Sequence, residues 1–301
     1  MSRNYQCAVI GLGSMGFGMA QSCVRAGLVT YGFDINDERV ASFCAEGGLA
    51  AELADIAPKV DAIVLVVLNA QQVEDVLFGA EAISSKLKQG SVVMACATVA
   101  PDFSRSMAEK CNHAGIHYLD APISGGAVKA AQGALSIMAS GSKEAFEAAQ
   151  TVLDATAETV HKLGDSAGTG SAVKAVNQML AGVHIAAMAE ALVFGMKQGV
   201  SAEVLLSVIS KSAGNSWMFE NRAPHVVDGD YTPRSSVTIW PKDLGIVMDV
   251  AQQAGLDTPI TAAALQRYQE AVQMGLGSED DAAVTKVYAK QAGVELPGQT
   301  S

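Results

Sequence analysis

One short stretch narrows the folds open to this chain more than any other. Residues 6–10 are a mostly apolar run of strand length, and Gly11-Leu12-Gly13-Ser14-Met15-Gly16 follows it directly. An amphipathic pattern then continues to Arg25 and stops at Gly27. A strand that passes through spaced glycines into a helix is the opening of a βαβ unit that binds a dinucleotide. Gly11 allows the tight turn, Gly13 lets the backbone approach a pyrophosphate, and Gly16 lets helix and strand pack closely. The whole loop, with Leu12, Ser14 and Met15, is therefore expected to bind cofactor phosphates at a helix N-terminus.

A second apolar run, 29–33, ends in Asp34. That is about the 20 residues beyond the glycines at which a carboxylate meets the adenosine ribose hydroxyls. A carboxylate repels a 2′-phosphate, and no arginine follows until Arg39, so the expected cofactor is NAD and not NADP. Asp34 could equally cap the helix that starts near Asp37.

Further apolar runs at 62–68, 92–95, 116–119 and 135–139 alternate with helical patterns at 71–78, 101–113 and 143–155. Such alternation predicts a parallel sheet covered on both faces, with ligands beyond the carboxyl ends of its strands. Those ends carry Asn69, Thr98 and the segment Asp120-Ala121-Pro122-Ile123-Ser124-Gly125-Gly126, whose serine and bare amides can cradle a carboxylate or simply form a turn. A short strand at 159–163 and then Gly164, Gly168 and Gly170 close this half. Only helical patterns follow, at 202–212, 217–222, 242–254, 259–274 and 282–291. A chain of 301 residues that is 50% hydrophobic has room for two domains. The expected fold is an α/β Rossmann-type parallel-sheet domain over 1–165 followed by an all-α domain over 166–301.

The boundary opens into the longest helical stretch, 168–199. Offsets of three and four residues put Lys174, Asn177 and Gln178 on one face near its start, an amine beside two amides. From 179 to 196 it is apolar on every face apart from His184 and Glu190. Its length reaches that of a membrane span, but those two polar residues fit the core of a soluble protein. Apolar surface on such a helix is commonly shared with a partner, so a homodimer or homotetramer is expected.

A net charge of −11 lacks the clustered Lys and Arg that nucleic acid or anionic lipid would require. An anionic substrate would depend on local charge such as Lys174. The cysteines Cys7, Cys23, Cys44, Cys96 and Cys111 are odd in number and widely spaced, which fits reduced thiols and a cytoplasmic location. The N-terminus has one arginine, Arg3, and then a strand pattern, so no signal peptide is expected. No Asp, Glu, His or Cys cluster has metal-ligand spacing, so a metal-free site is expected.

Four ordered motifs spanning the chain resemble the β-hydroxyacid dehydrogenase family, which contains 3-hydroxyisobutyrate dehydrogenase and tartronate semialdehyde reductase. They are the glycine segment running on through Phe17-Gly18-Met19-Ala20, the segment 120–126, the segment 170–177, and Lys242-Asp243-Leu244. The resemblance implies an NAD-dependent dehydrogenase in which Lys174 is the general acid/base and Asn177 orients a small hydroxy acid. Ser124, Gly125 and Gly126 would hold its carboxylate, and Thr98 and Lys242 would contact the cofactor. Two positions depart from the family. Ala97 precedes Thr98 where a serine is common, which puts one cofactor hydrogen bond in doubt. Asn69 stands where many members have proline, and its amide would suit a more hydroxylated ligand. The segments 214–222 and 228–233 are similar to a sugar-acid branch and imply oxidation of L-threonate to 2-dehydro-L-erythronate. The alternatives are 3-hydroxyisobutyrate, tartronate semialdehyde or another β-hydroxy acid, and, in a different class, a non-catalytic NAD(H) sensor.

Overall fold

A computed structural model describes residues 5–298, so Arg3 lies outside the described residues. The chain divides into two compact units, Met1–Lys174 and Ala175–Ser301.

In the first unit, β1 (Gln6–Ile10), β2 (Val29–Phe33), β3 (Ala62–Leu65), β4 (Val92–Ala95) and β5 (His117–Asp120) form a parallel sheet in the order β2-β1-β3-β4-β5. Its register aligns Ile10 with both Phe33 and Leu65, so the strand ends that carry the motifs lie along one edge. Helices α1 (Ser14–Arg25), α2 (Asp37–Ala45), α3 (Leu53–Ile56), α4 (Ala70–Phe78) and α5 (Pro101–His113) connect these strands. Every residue of β3 and β4 is buried, because side chains alternate between two covered faces. Val9, Val64 and Met94 join Met19 and Phe43 on one face, while Ile10, Ile63 and Val93 join Met107 and Tyr118 on the other.

The expectation that 135–139 continues the same parallel sheet is corrected. After β5 come β6 (Ile123–Ser124), α6 (Gly126–Gln132), β7 (Leu135–Ala139), α7 (Lys143–Thr156) and β8 (Ala157–Lys162), which make a separate sheet in the order β6-β7-β8. β6 and β7 are antiparallel, because the 7-residue α6 ending at left-handed Gly133 is too short for a crossover of about a dozen residues. The 14-residue α7 is long enough, and β7 and β8 run parallel.

The long helix α8 (Thr169–Lys197) has 29 residues, and the boundary between the units falls inside it. By length and composition it could cross a membrane, yet Ile185, Met188, Ala189 and Leu192 are buried in the second unit's core with Leu244 and Tyr268. That unit continues with α9 (Ala202–Ile209), α10 (Trp217–Asp228), α11 (Ile239–Gln253), α12 (Pro259–Gln273), a 3-10 turn Asp281–Val284 and α13 (Thr285–Ala292). The 217–222 pattern extends to Asp228, past Pro224, because Met218, Phe219, Ala223 and Val226 are all buried and packing outweighs one lost backbone bond. A polar cluster lies inside this unit. His225 Nδ1 is 2.8 Å from Asp280 Oδ1, while Arg222 pairs with Asp281 and Trp240 Nε1 donates to Asp281 Oδ2 at 3.0 Å. All five cysteines fall in the first unit and are free. Both tryptophans, Trp217 and Trp240, fall in the second.

Candidate active site

The glycine loop has the geometry its sequence demands. Gly11 has φ +94°, and a Cβ there would lie 2.4 Å from the Val66 carbonyl oxygen. At Gly16 a Cβ would lie 1.8 Å from Gly11 O, so α1 comes this close to the end of β1 only because residue 16 is glycine. A Cβ at Gly13 would meet nothing within 4 Å, and no side chain caps α1. The first turn of α1, with exposed Ser14 and partly buried Met15, thus presents amides beside open space, which fits a pyrophosphate.

Asp34 ties this loop to the end of β2. Its Oδ2 accepts the Leu12 amide at 2.7 Å and its Oδ1 accepts the Asn36 amide at 2.9 Å. The cap of α2 is Asn36, which accepts from the Glu38 amide, so Asp34 is not spent on that helix. Arg39 Nη1 stands 3.4 Å from Asp34 Oδ2, a half-exposed cation paired with the carboxylate at the β2 end. Leu12 contributes a buried side chain and an amide already committed to Asp34. Asn69 caps α4 by accepting the Gln72 amide at 2.9 Å, which leaves its Nδ2 as a donor at the end of β3. Thr98 is partly buried just beyond β4. Burial, and then the Asp120 carboxylate, push the nearby Cys96 thiol well above its ordinary range, so it is no nucleophile at neutral pH.

The segment after β5 is built around a carboxylate. Asp120 is 1% exposed, and its Oδ2 accepts the Gly168 and Ser171 amides at 2.9 Å each and Ser140 Oγ at 3.2 Å. Its Oδ1 accepts Ser171 Oγ at 2.7 Å and Ser104 Oγ at 3.1 Å. Asp120 is thus a cap for α8 supplied by another element, and its charge suits the positive end of the helix dipole. Gly170 lets this happen, since a Cβ there would lie 2.3 Å from Met138 O. One turn on, Lys174 is 8% exposed and its Nζ donates to the Ile123 carbonyl at 2.9 Å. That carbonyl directly precedes Ser124, Gly125 and Gly126, the last two at φ +139° and +78°. The first unit therefore brings a buried amine and a glycine turn together.

In the second unit, α8 and α11 carry a linked set. Asn177 Nδ2 donates to Gln178 Oε1 at 2.9 Å, and Gln178 Nε2 donates to Asp243 Oδ2. Lys242 Nζ stands 2.6 Å from Asp243 Oδ1, close enough for an ion pair although the angle falls short of a hydrogen bond. Sequence reasoning named Lys174, Asn177 and Lys242 but gave no role to Asp120 or Asp243. The signal for Asp120 was a carboxylate closing an apolar strand. For Asp243 it was an acid beside a lysine within an apolar helix pattern.

A glycine loop fitted to a pyrophosphate, a carboxylate suited to a ribose diol, and a buried lysine over a glycine turn define a class, the NAD-binding dehydrogenases. Comparison with known proteins narrows the class. Residues 6–164 match the family described as the NAD binding domain of 6-phosphogluconate dehydrogenase. Residues 168–288 match the family described as the NAD-binding region of NADP-dependent 3-hydroxyisobutyrate dehydrogenase. The chain is 48% identical to the L-threonate dehydrogenase of Haemophilus influenzae over 298 residues, 98% of each chain. It is 36% identical to the 2-(hydroxymethyl)glutarate dehydrogenase of Eubacterium barkeri over 300 residues, 99% of each. A crystal structure of 3-hydroxyisobutyrate dehydrogenase from Salmonella typhimurium has 47% identity and a TM-score of 0.89, covering 94% of this chain and 99% of that one. The chain belongs to the NAD-binding β-hydroxyacid dehydrogenase family that includes 3-hydroxyisobutyrate dehydrogenase.

Proposed function

We propose that this protein oxidises L-threonate to 2-dehydro-L-erythronate with NAD. The observation that carries the reading is the buried Lys174 amine held against the Ile123 carbonyl, next to Ser124, Gly125 and Gly126. Identity of 46–48% to five bacterial L-threonate dehydrogenases over nearly the whole chain supports the substrate.

Ser124 Oγ and the amides of Gly125 and Gly126 hold the substrate carboxylate, where side chains would crowd it. Asn177 orients the substrate and Lys174 takes the proton of the reacting hydroxyl. NAD, when bound, accepts the hydride. Gly11, Gly13, Ser14, Met15 and Gly16 hold its phosphates and Asp34 its adenosine ribose, Leu12 serves by tying the loop to Asp34 through its amide, and Asn69, Thr98 and Lys242 complete the site. The break between the family matches at 6–164 and 168–288 supports a boundary near 165, between an NAD-binding domain over 1–165 and a second domain over 166–301, to which we assign substrate binding and oligomerisation. Exposed Val176, Leu180 and Phe194 on α8 support a homodimer or homotetramer, to be read by light scattering as a species larger than 31.0 kDa. A species of that mass alone would refute it. The free thiols support a cytoplasmic location.

The test is NADH formation over L-threonate, D-threonate, D-glycerate, 3-hydroxyisobutyrate and 4-hydroxybutyrate, with NAD and NADP in parallel. L-Threonate with NAD is expected to give the highest kcat/KM, and Lys174→Ala to lower kcat by about 100- to 10,000-fold. A preference for 3-hydroxyisobutyrate, the activity named for the Salmonella structure, would overturn the substrate assignment and leave the chemistry.

A further inference from the structure

The amide next to the substrate is set in one direction by a group that touches no substrate. Asp243 is 2% exposed and Gln178 8%, so solvent does not arbitrate the bonds between them. A carboxylate paired with an ammonium can only accept hydrogen bonds. Lys242 Nζ occupies one oxygen of Asp243 at 2.6 Å, and the other oxygen requires a donor from Gln178. Gln178 must therefore turn Nε2 toward Asp243, which leaves Oε1 toward Asn177. Asn177 in turn must offer Nδ2, at 2.9 Å, and keeps Oδ1 as its remaining acceptor. Reversing Gln178 would set acceptor against acceptor at the buried bond to Asp243, which is costly where water cannot compensate, and reversing Asn177 would do so at the part-buried bond to Gln178.

We infer that Asp243 and Gln178 are positioning residues that fix the Asn177 amide so that Oδ1 accepts a hydroxyl of the substrate. A flipped Asn177 would offer two N–H donors instead and would suit a carboxylate. The relay thus makes the site selective for a hydroxylated chain, and it leaves the carboxylate to Ser124, Gly125 and Gly126. This inference rests on the reading that Asn177 faces the substrate.

Two experiments on the full-length enzyme test it. Neutron diffraction from deuterated crystals is expected to show deuterons on Gln178 Nε2 directed at Asp243 and on Asn177 Nδ2 directed at Gln178. The reverse arrangement would overturn the inference whatever the substrate proves to be. The second is kinetic, using L-threonate and the 2,4- and 2,3-dihydroxybutanoates, which keep the reacting 2-hydroxyl and lack the 3- or the 4-hydroxyl. The preference for L-threonate over at least one of these, as a ratio of kcat/KM, is expected to fall about tenfold or more in Asp243→Asn and in Gln178→Met. The double variant is expected to be no worse than the worse single one, because the two residues act in series. Loss of turnover in equal proportion for all substrates, or strictly additive losses, would show a merely structural role. If the wild type ignores L-threonate, the proposed substrate falls, and the same ratio is measured on the hydroxy acid it does turn over.

Discussion

Asp34 carries two duties that pull against each other on substitution. It anchors the Leu12 amide at 2.7 Å, and it is the charge that a 2′-phosphate would meet. Asp34→Ser removes the repulsion and frees Arg39, so the ratio of kcat/KM for NADP over NAD is expected to rise at least tenfold, about 1.4 kcal/mol of discrimination. Activity with NAD should fall in the same variant, since the loop loses its anchor. An unchanged cofactor ratio would remove Asp34 from the assignment. Gly125, at φ +139°, is a second single-residue test. Alanine there carries about 1–3 kcal/mol of backbone strain, and the KM for the hydroxy acid is expected to rise with little change in NADH affinity. The backbone role of the loop glycines was legible in the sequence because the reason for a glycine there is local. Gly11 and Gly16 announce a turn and a close approach before any fold is known. Gly170 did not announce the Met138 carbonyl it makes room for, because that neighbour comes from another element.

The same contrast holds for elements. β1 to β5 could be read from apolar runs, since strands buried on both faces need no other signal. β8 starts at Ala157, two residues before the sequence pattern, because it is a half-exposed edge with a weak apolar pattern. The start of α8 was placed well, but its true cap, Asp120, lies 51 residues from Ser171 and belongs to β5. Asp120→Asn would set an amide against N–H donors that now meet a carboxylate, with a loss of about 3 kcal/mol and a lower kcat as Lys174 loosens. A melting temperature and kcat both equal to wild type would contradict this. The Asp280 cluster gives a pH dependence. Burial alone would raise the Asp280 carboxyl, but the His225 contact and the Arg234 and Ala282 amides outweigh it and hold it at about 2. A group depressed in the folded state adds stability above its unfolded value, and that stability is lost as pH falls toward the folded one. Thermal stability should therefore decline between roughly pH 4 and pH 2, and decline less in Asp280→Asn, where the linkage is absent.

For the whole molecule, one helix joins a unit that holds the glycine loop to a unit that holds the Asn177 relay. Lys174 closes the first unit and Asn177 lies just inside the second, a separation of less than one helical turn. Composition left room for two domains and the pattern changed from alternating strands to continuous helices after 165, whereas the compact units divide between Lys174 and Ala175, inside α8. The partition of Cys and Trp has a practical consequence. With every thiol in one unit and both indoles in the other, the chain carries two native reporters that never overlap. Release of Cys7 and Cys23, which flank the glycine loop from β1 and α1, to a thiol reagent times the opening of the nucleotide-binding half. Emission from Trp240, stacked on Tyr268 at 5.6 Å, times the loosening of the helical half. Each half's lifetime can thus be clocked in the same unlabelled sample, and NADH should slow the thiol clock first.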